Sequence, residues 1–307
     1  MSGDLLPDTS TTTRGCDLCG EISARELYNA MDRLRNPERP FTIAACTGCG
    51  VLRTLPEMTD QELSAFYPAD YWGQSSEPSE AWIRSSQSDK LEFFRLCSLR
   101  EGRILDVGCG SGWFLRTLDS GSWDRFGVET GKEAGSVAAL SLGADHFSGT
   151  GLLQAALPDA HFDVITFWSA LEHMNAPRAN LLEARRIVKK GGTIIVQVPN
   201  AAGYQARLFK GKWFALDVPR HRYHFSPKAL ERLLTQTGFK SYHATSFSRV
   251  HNAHALRQSL KSTLGAATSW GGYLLFCMAI PLIKPADWLM TPLAGGATLT
   301  VAARAIE

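Results

Sequence analysis

Neither sign of charge is in excess in this sequence: 32 Lys and Arg stand against 30 Asp and Glu, a formal net charge of +2. The chain as a whole therefore exerts no electrostatic pull toward nucleic acid or an anionic surface. Lysine is absent from residues 14–55, where six arginines face five acids. No internal repeat and no long low-complexity tract occurs. No uninterrupted apolar run reaches the ~20 residues that a bilayer-spanning helix needs. The longest, inside GYLLFCMAIPLIKPADWLM (272–290), contains Pro281. Residues 1–14 have neither the basic start nor the apolar run of a secretory signal, so a reducing, cytoplasmic setting is expected. At 307 residues, 44% of them hydrophobic, the chain can build one or two ordinary cores.

Four of the seven cysteines form two tight pairs, CDLCG (Cys16, Cys19) and CTGCG (Cys46, Cys49). In a reducing compartment such pairs bind metal more readily than they form disulfides. Four thiolates make a closed tetrahedral Zn²⁺ site, and the glycine after each pair lets the backbone turn. A redox pair is the other reading. Cys97, Cys109 and Cys277 stand alone and read as packed thiols, Cys109 filling space in a glycine turn.

Thr59-Asp60-Gln61-Glu62 has capping-box spacing and opens a short helix that ends before Pro68. A polar linker follows (73–88), then a helix through Leu91, Phe94 and Leu99. From Arg103 strands and helices alternate. Strands are expected at 103–107, 124–128, 162–167 and 192–198, and helices at 112–120, 131–142 and 177–190. The last would place Lys189 and Lys190 at its C-terminal dipole and stop at Gly191-Gly192. Ser226 as N-cap and Pro227 start another helix, closed at Gly238. This alternation predicts an α/β, doubly wound, mostly parallel sheet with its ligand site at the C-terminal strand ends.

ILDVGCGSGWFL (104–115) reads as strand, glycine turn and helix start. A dinucleotide fingerprint is G-x-G-x-x-G, but Gly108, Gly110 and Gly112 are spaced G-x-G-x-G and Trp113 takes the third dinucleotide glycine's place. The Gly-Lys-Ser/Thr of a P-loop is absent. Asp106, two residues before the first glycine, would repel a pyrophosphate and attract a ligand bearing an ammonium and a sulfonium. Glu129, ending the second strand, can accept from both hydroxyls of a ribose. Together these favour S-adenosylmethionine.

LDVGCGSG, the GVE acid, FDVITFWSALEH and GGTIIVQVPN resemble, in order and spacing, the class I S-adenosylmethionine-dependent methyltransferases over residues 58–248. The resemblance implies a Rossmann-like sheet whose last strand is antiparallel. It implies that Asp106, Gly108 and Gly110 line the methionine moiety, that Cys109 and Gly112 complete the cofactor-binding turn, that Glu129 takes the ribose, and that Phe167 and Trp168 lie beside the cofactor. Tyr67, Tyr71 and Trp72 resemble a segment that closes over the cofactor in some relatives, and the same aromatics can equally anchor a helix to the core. Near the third strand's end HFSGTGLL offers no acid for the adenine amine.

Transfer to oxygen, or to an acidified carbon, needs a base beside an aligned acceptor. His173 in LEHM and His221 in DVPRHRYHFSP are the candidates, and His224 reads as structural. The second segment resembles the PRHxYHFSP run of bacterial methyltransferases that begin with a cysteine-pair module. Some sugar C-methyltransferases carry a glutamate–histidine pair where this chain has Arg220-His221. Ubiquinone-pathway O-methyltransferases and small-RNA methyltransferases hold a divalent cation with Glu-x-x-Glu-His. Here Ser169 replaces the first glutamate, so catalytic Mg²⁺ is not expected. An Asn-Pro-Pro-aromatic motif for amino transfer is absent.

The expected organisation is a polar tail with a small N-terminal zinc ribbon (1–57), a methyltransferase core (58–248), a C-terminal apolar helical insertion (249–296) and a final strand (297–307). The expected acceptor is a small molecule or a lipid-linked one, such as a sugar or natural product. Residues 268–292 either meet a membrane interface peripherally, on the inner face, or pack against the domain or a homodimer partner. Rival readings are an RNA methyltransferase using the ribbon and a non-catalytic cofactor-binding adaptor. Four thiolates around Zn²⁺ would make the ribbon slightly acidic, which argues against nucleic acid.

Overall fold

The computed structural model describes residues 15–34, 38–67, 78–265 and 269–306. Tyr71 and Trp72 lie outside the described residues. The chain opens with three antiparallel strands, β1 (Ala24–Met31), β2 (Pro40–Cys46) and β3 (Leu52–Leu55). Helix α1 (Asp60–Ser64) then starts at Thr59, whose side chain and that of Glu62 close the expected capping box. Helices α2 (Glu80–Ser86) and α3 (Ser88–Leu96) lead into the core.

The core alternates as the sequence suggests. Its elements are β4 (Gly102–Val107), α4 (Trp113–Arg116), β5 (Trp123–Val128), α5 (Lys132–Leu142), β6 (Phe147–Ser148), β7 (Phe162–Trp168), α6 (Pro177–Ile187) and β8 (Val188–Pro199). After α7 (Tyr204–Phe209) and the two-residue β9 (Tyr223–His224) come α8 (Pro227–Gln236) and β10 (Phe239–Thr245). Helices α9 (His251–Thr263) and α10 (Trp270–Ala294) separate β10 from β11 (Thr298–Ala305).

The main sheet runs β10-β11-β8-β7-β4-β5-β6. Strands β4 to β8 pair in parallel, and β11 is antiparallel to both its neighbours. This is a Rossmann-like α/β sheet. Helices cover both faces, which is why ILDV and VITF run apolar without alternation. The chain moves outward from β4 through β5 to β6 and then returns to β7 on β4's other side. That reversal places the switch point between β4 and β7. The two strand ends touch there: a Cβ on Gly108 would sit 2.8 Å from the Cβ of Ala170.

Three expectations are corrected. Helix α6 stops at Ile187, and Val188 already pairs with Phe162. Lys189 therefore serves no helix dipole; its Nζ holds Asp163 at 2.7 and 2.8 Å. Gly191-Gly192 sits inside β8, where the register with β7 shifts, rather than ending a helix. A Cβ on Gly192 would lie 3.0 Å from the Asp163 carbonyl oxygen, so the bulge requires glycine. The apolar segment expected to be too short for a bilayer lies in a 25-residue helix that is long and apolar enough, by length and composition alone, to cross one. Helix α10 runs through Pro281, Pro285 and Pro292, all exposed, where no neighbour opposes the local distortion that a missing N–H brings.

The N-terminal strands do not form a closed unit. Their sheet has the order β1-β2-β3-β9, so its fourth strand comes from the core: Leu52 pairs with His224 and Arg53 with Tyr223.

Candidate active site

Gly108, Gly110 and Gly112 all adopt positive φ (70°, 55° and 74°), which side-chain-bearing residues rarely do. A Cβ on Gly110 would meet nothing within 4 Å, so this glycine faces open space. Asp106 is buried, and Thr166 Oγ1 donates to it at 2.6 Å. Burial pushes its carboxyl up to about 7, with Lys90 and the Thr166 bond opposing the rise. Glu129 is also buried; it accepts from the Gly110 N–H at 2.9 Å and the Gly131 N–H at 2.7 Å. The backbone thus orients this carboxylate before any ligand arrives, and each oxygen keeps a lone pair for a ribose hydroxyl.

Lys90 on α3 completes the arrangement, and no local pattern in the sequence marked it. Its Nζ lies 5.4 Å from the Trp168 ring centre and 5.7 Å from that of Phe114. Burial lowers its pKa to about 8, with Asp106 acting against the shift. Trp168 Nε1 is buried without a partner among the described residues. An acid, a cation and an unpaired N–H around an open glycine turn suit a zwitterion. Asp106 could hold the ammonium of S-adenosylmethionine, Lys90 and Trp168 its carboxylate, and Glu129 the ribose. The residues present fit that ligand.

Two of the residues expected at the cofactor face elsewhere. Phe167 is fully buried in the core cluster with Leu105 and Val196, because adjacent strand residues point to opposite sheet faces. The Cys109 thiol packs under the turn, 2.8 Å from where a Gly127 Cβ would be, and the residue's N–H is bonded to the Val128 carbonyl.

Beyond β7, Leu171–His173 forms a short 3-10 turn against the segment 217–225. The Arg222 N–H donates to the Glu172 carbonyl, and Arg222 Nε donates to that of His173. These bonds bring Glu172, His173 and His221 together, with one ligand atom from each within 4.8 Å of the others. Glu172 is fully buried, and neither carboxylate oxygen has a hydrogen-bond partner among the described residues. Burial pushes its carboxyl up to about 8. His221 Nε2 lies 4.0 Å from Glu172 Oε1, while Nδ1 lies 3.0 Å from the carbonyl oxygen of Ala215. A carbonyl only accepts, so Nδ1 carries the proton and Nε2 keeps its lone pair. Burial, with His173 beside it, holds this imidazole well below 6.5.

His173 has its own commitments: Tyr67 OH meets Nδ1 at 3.1 Å, and the ring also bonds the main chain of Arg220. Tyr67 therefore anchors the site through His173. His224 bonds Thr54 Oγ1 at 2.9 Å, inside the small sheet. Arg220 is fully buried and holds Asp32 and Asp217.

The four paired cysteines converge at the other end of the small sheet. Cys16 and Cys49 sulfurs are 3.6 Å apart, and those of Cys19 and Cys46 are 3.5 Å apart. A tetrahedron with Zn–S of ~2.3 Å has edges of ~3.8 Å. The glycines after the pairs, Gly20 and Gly50, adopt φ of 77° and 76°, the turn expected of them. This donor set fits Zn²⁺.

Fold and site define a class, the S-adenosylmethionine-dependent methyltransferases. A family model described as "Methyltransferase domain" matches residues 80–244, more than half of the chain. The chain belongs to that methyltransferase domain family. It is similar to the ubiquinone biosynthesis O-methyltransferase of Photobacterium profundum, with 29% identity over 154 residues. That match covers 47% of this chain and 66% of the relative. A tRNA U34 carboxymethyltransferase of Hydrogenovibrio crunogenus is also 29% identical, over 42% of this chain and 39% of that protein. The chain therefore spans less than two thirds of either relative. Among solved structures, a Bacillus halodurans protein described as a "putative methyltransferase" superposes with a TM-score of 0.50 at 14% identity. That superposition covers 72% of this chain and all of that one, and the likeness is one of fold.

Proposed function

We propose that the protein transfers a methyl group from S-adenosylmethionine to a hydroxyl oxygen of a small or lipid-linked acceptor, with His221 as general base. Carbon is the less favoured accepting atom. The observation that carries this reading is the pinned imidazole of His221, neutral, with Nδ1–H held by the Ala215 carbonyl and Nε2 turned toward Glu172. When bound, S-adenosylmethionine supplies a methyl group already activated on a sulfonium. The chain's own part is alignment and proton removal. Asp106, Lys90 and Glu129 would fix the donor at the switch point. His221 Nε2 would take the acceptor's hydroxyl proton as the oxygen–methyl bond forms. Protonated Glu172 can hydrogen-bond a group placed between itself and His221. Tyr67 and Arg222 hold His173 and its neighbours in position. Four thiolates would hold a structural zinc ion in the N-terminal module.

A second reading rests on the same trio. Glu172, His173 and His221 could together ligate a divalent cation. Two imidazoles and one carboxylate suit a borderline metal better than Mg²⁺, which asks for oxygen ligands. His173 would have to give up one of its bonds to Tyr67 or Arg220, which favours the base reading. An RNA acceptor draws support from the tRNA-modifying relative, but the cysteine module lacks the basic surface that tracking RNA requires.

Incubation with methyl-labelled S-adenosylmethionine and separate lipid, glycan and RNA fractions tests the proposal. Label is expected in the lipid or glycan fraction and lost with His221→Ala. Label in RNA alone would overturn the acceptor class, equal labelling by the variant would remove His221 from the mechanism, and loss of activity with a chelator that leaves the cysteine site loaded would favour the metal.

A further inference from the structure

The family match ends at residue 244, and α9 and α10 follow it. Helix α10 buries a single stripe, Gly272, Phe276, Ile283, Asp287 and Thr291. That stripe is fastened to the domain. Asp287 Oδ1 accepts from Tyr204 OH at 2.8 Å and from Gln205 Nε2 at 3.2 Å. A Cβ on Gly272 would lie 2.1 Å from the Leu264 carbonyl oxygen. The rest of the helix is open: Trp270, Met278, Leu282, Trp288 and Leu293 are each 65–78% exposed. By length and composition alone α10 could cross a bilayer, yet only 22% of its most apolar window is buried, unlike a core helix.

Charge is segregated around this face. Residues 200–216 and 246–297 contain Arg207, Lys210, Lys212, Arg249, Arg257, Lys261 and Lys284, and their one acid, Asp287, is buried. In a chain that is otherwise balanced, these two stretches thus join exposed apolar side chains to seven cations, of which Arg249 is paired with Glu92 of α3 at 3.3 Å. Trp270 and Trp288 stand about 27 Å apart along the helix at 1.5 Å per residue.

We propose that α10, with α7 and α9 beside it, docks on an anionic lipid bilayer. The helix lies along the surface with its apolar side chains at acyl-chain level, Trp270 and Trp288 at the interface, and the cations among the head groups. It does not cross, because Asp287 and Thr291 stay bound to the domain. A second copy of the chain is a poorer occupant: a symmetric contact through this face would bring two cationic rims together.

Full-length protein mixed with phosphatidylglycerol vesicles and with phosphatidylcholine vesicles tests this without any methyl acceptor, so its outcome is independent of the proposed reaction. Co-sedimentation with phosphatidylglycerol is expected, at least about tenfold stronger than with phosphatidylcholine and weakened by salt. Leu282→Glu with Leu293→Glu changes two exposed positions, so the fold should survive, as the melting curve will show, while vesicle binding falls at least about tenfold. Failure of the wild-type protein to bind phosphatidylglycerol would overturn the proposal. So would equal binding by the double variant, or a lipid-free dimer that the double variant dissociates.

Discussion

Arg220 reaches Asp32 across 2.8 Å with neither side chain exposed, and the same guanidinium holds Asp217 at 2.9 and 3.0 Å. Asp32 follows β1, and Arg220 precedes the candidate base, so one buried group locks the cysteine module to the catalytic loop. Although burial opposes it, the Arg220 bond holds the Asp217 carboxyl well below the usual range. Removing the cation takes from Asp32 and Asp217 their shared buried counter-charge, although Asp217 keeps Arg33 at 3.1 Å. Arg220→Met should cost about 3–5 kcal/mol, read as a lower urea midpoint, and should lower methyl transfer by loosening His221.

The cysteine cluster should carry one zinc per chain. Elemental analysis checks the stoichiometry, and Cys46→Ser or a strong chelator should lower the melting temperature. The small sheet includes β9, so loss of metal should also reach the loop around His221. A metal-free protein of unchanged stability would remove zinc from the assignment.

Ligand binding at the glycine turn should release protons. Asp106 is pushed up to about 7 by burial, and a cationic ligand beside it favours the ionised form. Calorimetry with S-adenosylmethionine near pH 6 should show an enthalpy that depends on the buffer's ionisation heat, and the dependence should reverse toward pH 8, where Lys90 takes up a proton beside the ligand carboxylate. Asp106→Asn should abolish the dependence near pH 6 and weaken binding by about tenfold or more, for a lost charge-assisted bond of ~1.5–3 kcal/mol.

Glu172 makes stability depend on pH. Its folded-state pKa of about 8 exceeds the ordinary 4.5. Its favourable contribution is therefore complete below 4.5 and lost as pH rises toward 8. Glu172→Gln should raise stability at pH 7 by up to about 3 kcal/mol, with the gain shrinking toward pH 5. Denaturation curves at the two pH values check the sign.

Strands β4, β5 and β7 were legible because each is bounded by turns or helix starts and β4 and β7 are mostly apolar, whereas β6 is two residues long and has no expected range. The start of β8 was not legible either: Lys189-Lys190-Gly191-Gly192 imitates a helix stop, and only pairing of Val188 with Phe162 shows the strand. Strand β9 is two residues long and exists because Arg53 lies beside Tyr223, far away in sequence. Asp106, Glu129 and the paired cysteines follow spaced motifs and could be named from them. Lys90 has no motif, and its place depends on how α3 packs over Trp168 and Phe114. The burial of Glu172 without a hydrogen-bond partner and the tautomer of His221, set by the Ala215 carbonyl, depend on how the loops fold, which a linear pattern does not reveal.

The pH profile of methyl transfer probes the assignment of the base. With S-adenosylmethionine saturating, neutral His221, held well below 6.5, gives a rate that is level from about pH 6 up to the titration of Glu172 near 8 and declines on stronger acidification. His221→Ala should lower that plateau by about 10²-fold or more with S-adenosylmethionine affinity unchanged. A rate that instead climbs through pH 8 and survives in His221→Ala would transfer the role to ionised Glu172.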